Sequence, residues 1–195
     1  MKQSILILVL SDLRHDARVR RQIDALKDQY ALTVACFSGE RSHEYETVIL
    51  PPFRLTLLRK MFASLFLLTK LYPSAYRILH HYHDFIQETF RGKNYDLIIA
   101  NDVETLPAAF GISGRENILF DAHEYAPRHF EDKLVWRIFF QGFNMWLCRK
   151  YIPRVAGMTT VGKKLAQEYE NHFRVRPTVI TNAGPYVGID PSPVA

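Results

Sequence analysis

The chain has 195 residues, of which 48% are hydrophobic and 23% charged, and its net charge is +5. That length allows one domain, or one and a fraction, and the composition excludes disordered, collagen-like and low-complexity classes. Two cysteines, Cys36 and Cys148, sit far apart in apolar runs and support neither a disulfide framework nor a zinc site.

The first apolar run, Ile5–Leu10, is short for a signal-peptide core, and Asp12, Arg14, His15 and Asp16 follow it at once. No stretch approaches the roughly 18 apolar residues that cross a bilayer, so the expectation is a soluble, cytoplasmic domain. Further strand-like runs are Leu32–Phe37, Thr47–Leu50, Leu97–Ala100, Ile118–Phe120, Gly157–Thr160 and Thr178–Thr181. They are unbroken rather than alternating, which predicts parallel strands covered on both faces. Helical stripes lie between them: Val19, Ile23 and Leu26 early, and Val161, Leu165, Tyr169 and His172 late. The interval from Arg54 to Gly92 reads as two helices broken at Pro73-Ser74, because the residue before a proline is pushed away from helical geometry. Strand-helix-strand repetition predicts one α/β domain over residues 1–182, a Rossmann-like doubly wound parallel sheet. Residues 183–195, with Gly184, Pro185, Gly188, Pro191 and Pro193, read as the start of a linker, and the expectation is a longer protein.

Ligands of an open parallel sheet sit beyond the carboxyl ends of its strands. Four such edges are polar: Ser11–Arg18, Asn101–Thr105, Asp121–Tyr125 with Arg128 and His129 behind, and Val161–Lys164. All four are expected to face one cleft. Neither the G-x-G-x-x-G fingerprint nor a Walker A loop is present. Arg14, Arg18, Arg20 and Arg21 crowd the start of the first helix instead. Cations are disfavoured there, so either an anion is bound or the arginines splay into water and pair with Asp12 and Asp16. His123 follows a buried strand beside carboxylates, an arrangement expected to raise its pKa towards neutrality. It reads either as a partner of a substrate hydroxyl or as a loop cap. A metal site of Asp121, His123 and His129 lacks supporting spacing, and no metal is expected. His80, His81 and His83 fall on a predicted helix, as solvated or core residues.

From Arg54 to Lys93, seven basic residues face two acidic ones. Arg54, Arg59, Lys60 and Lys70 are interleaved with Leu58, Phe62, Leu65 and Phe66, a pattern that suits an anionic membrane interface or a second packing surface. Nucleic acid is not expected, since no base-stacking platform accompanies the charge.

These residues, in this order, resemble the N-terminal domain of a family 4 glycosyltransferase of the GT-B fold. The matching pieces are Asp16-Ala-Arg18-Val19-Arg20, Tyr95–Asp102 with Thr105-Leu106, and Phe120–Glu124. Thr160–Leu165 with Tyr169 and Val179–Asn182 complete the set. The resemblance spans essentially the whole chain. It implies the acceptor-binding half of a two-domain, retaining enzyme with no cofactor and no essential metal. The nucleotide-sugar donor would be held mainly by a C-terminal domain, and the acceptor would be a glycan or lipid-linked molecule. By resemblance His123 is the cleft histidine near the transferred sugar, with Asp102 and Glu104 opposite and Asp16 and Arg18 at the helix start. Arg14, Asp121 and Glu124 complete the expected substrate-binding set. The turn Ser11–His15 lacks the family's glycines, which leaves the arginine-rich helix start as the substitute phosphate contact. A different class remains open: a noncatalytic Rossmann-like domain that docks a membrane or a partner protein. An independent nucleotide-binding enzyme is disfavoured by the missing phosphate loops.

Overall fold

A computed structural model of the chain describes residues 2–52, 54–113 and 117–183. All seven predicted apolar runs form strands: β1 (Ser4–Leu8), β2 (Ala31–Cys36), β3 (Glu46–Ile49), β4 (Leu97–Ala100), β5 (Ile118–Ala122), β6 (Gly157–Thr160) and β7 (Thr178–Val179). They pair in parallel throughout, in the order β3-β2-β1-β4-β5-β6-β7. The period of two in each strand divides the apolar side chains between two faces. Ile5, Ile7, Val9, Val34 and Ile99 pack against Val19 and Ile23 of α1 (Ala17–Leu26). Leu6, Leu8, Ile98, Ala100, Ile118 and Phe120 face the larger core. That core is covered by α2 (Leu57–Leu68), α3 (Tyr72–Leu79), α4 (Tyr82–Thr89) and α5 (Leu106–Ser113). Beyond them, α6 (Leu134–Trp136) runs through a π-helical turn (Arg137–Gln141) into α7 (Gly142–Tyr151), and α8 (Lys163–Phe173) closes the set.

The sheet is doubly wound, as expected, but the cover of its two faces is unequal. Among the described helices only α1 packs on the second face, beside β1 and β2. Beyond it, Ile99 and Leu119 line a cavity of about 360 Å³.

The interval from Arg54 to Gly92 holds three helices rather than two, and Pro73 does not break it. Pro73 lies in the first turn of α3, where its missing N–H costs nothing. The break is a Schellman ending on α2. Lys70 adopts φ +58°, its N–H bonds Leu67 O at 3.2 Å, and Leu71 N–H bonds Phe66 O at 2.8 Å. A second break falls between His80, which ends α3, and His81, which precedes α4. The three histidines therefore do not share one helix. Burial pushes His80 down to about 3, and its Nδ1 bonds the Tyr82 hydroxyl at 2.7 Å. On α8 the buried stripe is Tyr169 and Phe173, while His172 is exposed. Cys36 and Cys148 are free and buried. No helix among the described residues is long and apolar enough to cross a membrane. The expected linker lies outside the described residues beyond Ala183.

Leu6 is fully buried and Leu57 is 76% exposed. Leu6→Ala should cost about 2–5 kcal/mol of unfolding free energy, and Leu57→Ala no more than about 0.5 kcal/mol. Urea denaturation followed by circular dichroism compares the two.

Candidate functional site

The sheet order reverses between β1 and β4, so the chain leaves these neighbours on opposite sides and opens a crevice at their carboxyl ends. Asp102 ties the two exits together: its Oδ2 accepts the Leu10 N–H at 2.9 Å. Burial raises the pKa of Asp102 despite that bond. Asn101, immediately before it, donates its backbone N–H to Leu8 O at 3.0 Å and so continues the β1–β4 ladder. Its side chain is 2% exposed, yet neither Oδ1 nor Nδ2 has a partner. A 3-10 turn, Val103–Thr105, carries Glu104 into the crevice, and the Tyr76 hydroxyl donates to Glu104 O at 2.8 Å. Burial, reinforced by the charge of Asp102, pushes the Glu104 carboxyl up to about 7.

At the end of β5, Asp121 is held by Thr159 Oγ1, which donates to Oδ1 at 2.6 Å, and by Gln22 Nε2, which donates to Oδ2. His123 Nε2 stands 3.3 Å from Asp121 Oδ2 without the alignment of a hydrogen bond, and both ring nitrogens lack one. Contrary to the sequence expectation, the pKa of His123 falls, to about 4. Burial penalises the imidazolium more than Asp121 favours it. The ring is therefore neutral near pH 7, with one N–H and one lone pair to offer. Behind it, Tyr169 Oη donates to Glu124 O at 2.8 Å and accepts from Ala126 N–H at 3.2 Å. Asn144 Nδ2 donates to Ala126 O at 3.0 Å, so the loop after β5 is fixed from α7 and α8.

Arg18, Asn101, Asp102, Glu104 and His123 all line one cavity of about 110 Å³. Arg18 and His123 also line the 360 Å³ cavity under α1, with Arg21, Gln22 and Asp121. A third cavity of about 610 Å³ shares Asp102, Glu104, Glu124 and His129 with the first. A depression of about 820 Å³ lies at the opposite, amino end of the sheet. There Lys27 pairs with Glu44 at 2.8 Å and Lys93 with Glu46 at 3.9 Å, which leaves the charges mutually engaged.

The expected residues do not all converge. Arg14 is 58% exposed, pairs with Asp12 at 2.6 Å and lies outside the three crevice cavities. That bond holds the Asp12 carboxyl down at about 2. Asp16 caps α1 through the Val19 N–H at 3.2 Å and also accepts from Ser11 Oγ at 2.8 Å and from Arg18 at 3.2 Å. Its carboxylate already occupies the positive end of α1, so the pairing reading of the arginines prevails over a bound phosphate. Arg21 reaches Asn182. Lys163 and Lys164 are exposed and line none of the crevice cavities. His129 pairs with Glu124 rather than joining His123 and Asp121. Among the described residues no group of three His, Cys, Asp or Glu side chains is placed to hold a metal ion. Arg54, Arg59, Lys60 and Lys70 are all exposed along the α2 segment, and of these only Lys60 lines one of the crevice cavities. Gln22 and Thr159 belong to the site although the sequence did not single them out, and Asn101 was read only as the start of a polar edge. Only Asn101 carried a signal, as a polar residue directly after four apolar strand residues.

The chain matches no protein-family model and no curated protein.

Glu104 and His123 predict opposite pH slopes. A carboxyl raised from 4.5 to about 7 loses stability as pH rises through that window, because the folded state holds the proton more tightly. An imidazole lowered from 6.5 to about 4 contributes stability that is complete above 6.5 and lost as pH falls towards 4. Glu104→Gln should therefore gain stability over wild type above pH 7 and His123→Gln below pH 5. Denaturant midpoints across pH 4–8 read both.

Proposed function

We propose that this chain is the acceptor-binding half of a retaining glycosyltransferase of the two-domain GT-B type. It would help move a sugar from a nucleotide-sugar to a hydroxyl of a glycan or lipid-linked acceptor. The observation that carries this reading is the pair of buried, unpartnered polar side chains, neutral His123 and Asn101, on one cavity at the strand-order reversal. Between them they offer donors and acceptors without net charge, the complement of adjacent sugar hydroxyls. Orphaned buried groups are costly, and a ligand hydroxyl relieves that cost. Asp102, Glu104 and Asp121 would repel a diphosphate, so the donor's phosphates are assigned to the second domain. Glu104, titrating near neutrality, can hold an acceptor hydroxyl or take its proton.

With half a cleft, the 195-residue chain alone should transfer no sugar, for want of positioning and preorganised charge. In a protein carrying both halves, His123→Ala should lower turnover about 10²–10⁴-fold if the histidine transfers a proton, and less if it only orients the sugar, with the melting temperature little changed. A radiolabelled-sugar transfer assay over a panel of donors reads this, and unchanged turnover in the variant would remove the histidine from the mechanism.

A noncatalytic docking role is the second reading, and one observation favours it. Leu58, Met61, Leu65 and Leu68 form an exposed apolar stripe on α2, flanked by Arg54, Arg59, Lys60 and Lys70. Each basic group near an anionic surface contributes about 1 kcal/mol, so Arg54→Glu/Arg59→Glu should weaken co-sedimentation with anionic vesicles more than tenfold at low salt. Equal binding to neutral and anionic vesicles would leave the basic residues without a lipid role, and binding to neither would leave the stripe without one.

A further inference from the structure

We infer that the 610 Å³ cavity between α2 and the helical run 134–151 holds the hydrocarbon chain of an amphiphile whose neutral, hydroxyl-bearing head lies at Asp102, Glu104 and Glu124. Its size falls within the roughly 300–1,000 Å³ of small-molecule sites. Its lining is graded. Leu55, Ala63 and Leu67 from the α2 side and Trp136, Phe140 and Phe143 from the facing run make one end apolar. The other end is the crevice itself, where Asp102, Glu104 and Glu124 line both this cavity and the 110 Å³ one beside His123. A molecule filling both must therefore be apolar at one end and polar at the other.

The head's chemistry follows from the charges that meet it. The lining carries three carboxyl groups and two basic side chains, Lys60 on α2 and His129, and His129 is already engaged with Glu124. A phosphate or sulfate head would be repelled there, whereas hydroxyls can donate to every carboxylate.

The walls of the cavity also point to where the chain comes from. Both flanking helices turn apolar residues outwards: Leu58, Met61 and Leu65 on α2, and Leu134, Val135 and Ile138 on the facing run. The charges within the two stretches at this end are basic, Arg59 and Lys60 on one and Arg137 on the other, with the exposed Glu131, Asp132 and Lys133 just before the second. Such a rim suits a bilayer surface, from which a chain can enter between the two helices. The assignment of the head rests on the proposed function, but occupation of the cavity by the chain does not.

The test uses n-octyl, n-decyl and n-dodecyl maltosides below their critical micelle concentrations, with maltose and dodecyl phosphate as controls. Trp136 lines the cavity and Trp146 does not, so Trp146→Phe leaves one fluorescent reporter among the two tryptophans. Affinity should rise about tenfold for each added pair of methylenes, and dodecyl phosphate should bind more weakly than dodecyl maltoside. Ser64→Trp, which fills the cavity from α2, should weaken dodecyl maltoside binding at least about tenfold. Leu55→Trp blocks the same space from the loop before α2 and serves if Ser64→Trp misfolds. The outward variant Leu58→Ser/Met61→Ser/Leu65→Ser should stay within about twofold of wild type. Maltose binding as tightly as its dodecyl glycoside, or a loss confined to the outward variant, overturns the cavity assignment. Equal affinity for phosphate and maltoside heads overturns the head assignment alone. Absence of sugar transfer in a protein carrying both halves bears on the proposed function and leaves the chain-binding result standing.

Discussion

The bond from the Leu10 N–H to the Asp102 carboxylate, 2.9 Å long, fixes how the chain leaves β1 and β4. Parallel pairing brings these strands side by side, and the bond ties their exits together just beyond the strand ends. Asn101, whose buried amide has no partner, and Glu104 on the following turn line the small cavity that remains beside this tie. The cost is a buried carboxylate, whose pKa is raised because burial outweighs the Leu10 hydrogen bond.

Burial against charge is also what sets the character of the crevice. Asp121 and Asp16 both favour a protonated His123, and burial together with the nearby Arg18 still leaves it neutral. Glu104 moves the other way, towards neutrality, for the same physical reason. The outcome is a site of uncharged or half-charged donors and acceptors beside Arg18, which meets Asp16 at 3.2 Å while its buried Nε has no partner.

On the larger core face, α2 is apolar around most of its circumference. Ala63 and Leu67 are buried in the core, and the remaining leucines of the helix are all more than half exposed. A helix of that kind is normally buried on all sides. Here it and the run 134–151 enclose a cavity that opens beside the crevice, so the exposed apolar surface and the polar site are parts of one region rather than two separate features.

Much of this was legible in the chain because it is local. Unbroken apolar runs marked every strand to within about two residues of its observed ends, and their alternation with helical stripes was enough for a doubly wound parallel sheet. The polar edges at Asn101–Thr105 and Asp121–Glu124 were visible for the same reason, since a strand's end is written in its neighbours. The lysine-capped end of α2 was not, because a left-handed residue without glycine depends on the bonds made from Lys70 and Leu71. The pairing of Arg14 with Asp12 was one of two readings the sequence left open, and only the contact itself chose it. The protonation of His123 could not be read from its acidic neighbours, because sequence counts charges while burial depends on residues as distant as Arg18, Asn144 and Tyr169. Sequence by itself determined the sheet, its parallel sense and the four edges where chemistry could lie. Tertiary structure alone decided which side chains meet, which charges cancel and where space is left, since each depends on contacts between segments far apart in the chain.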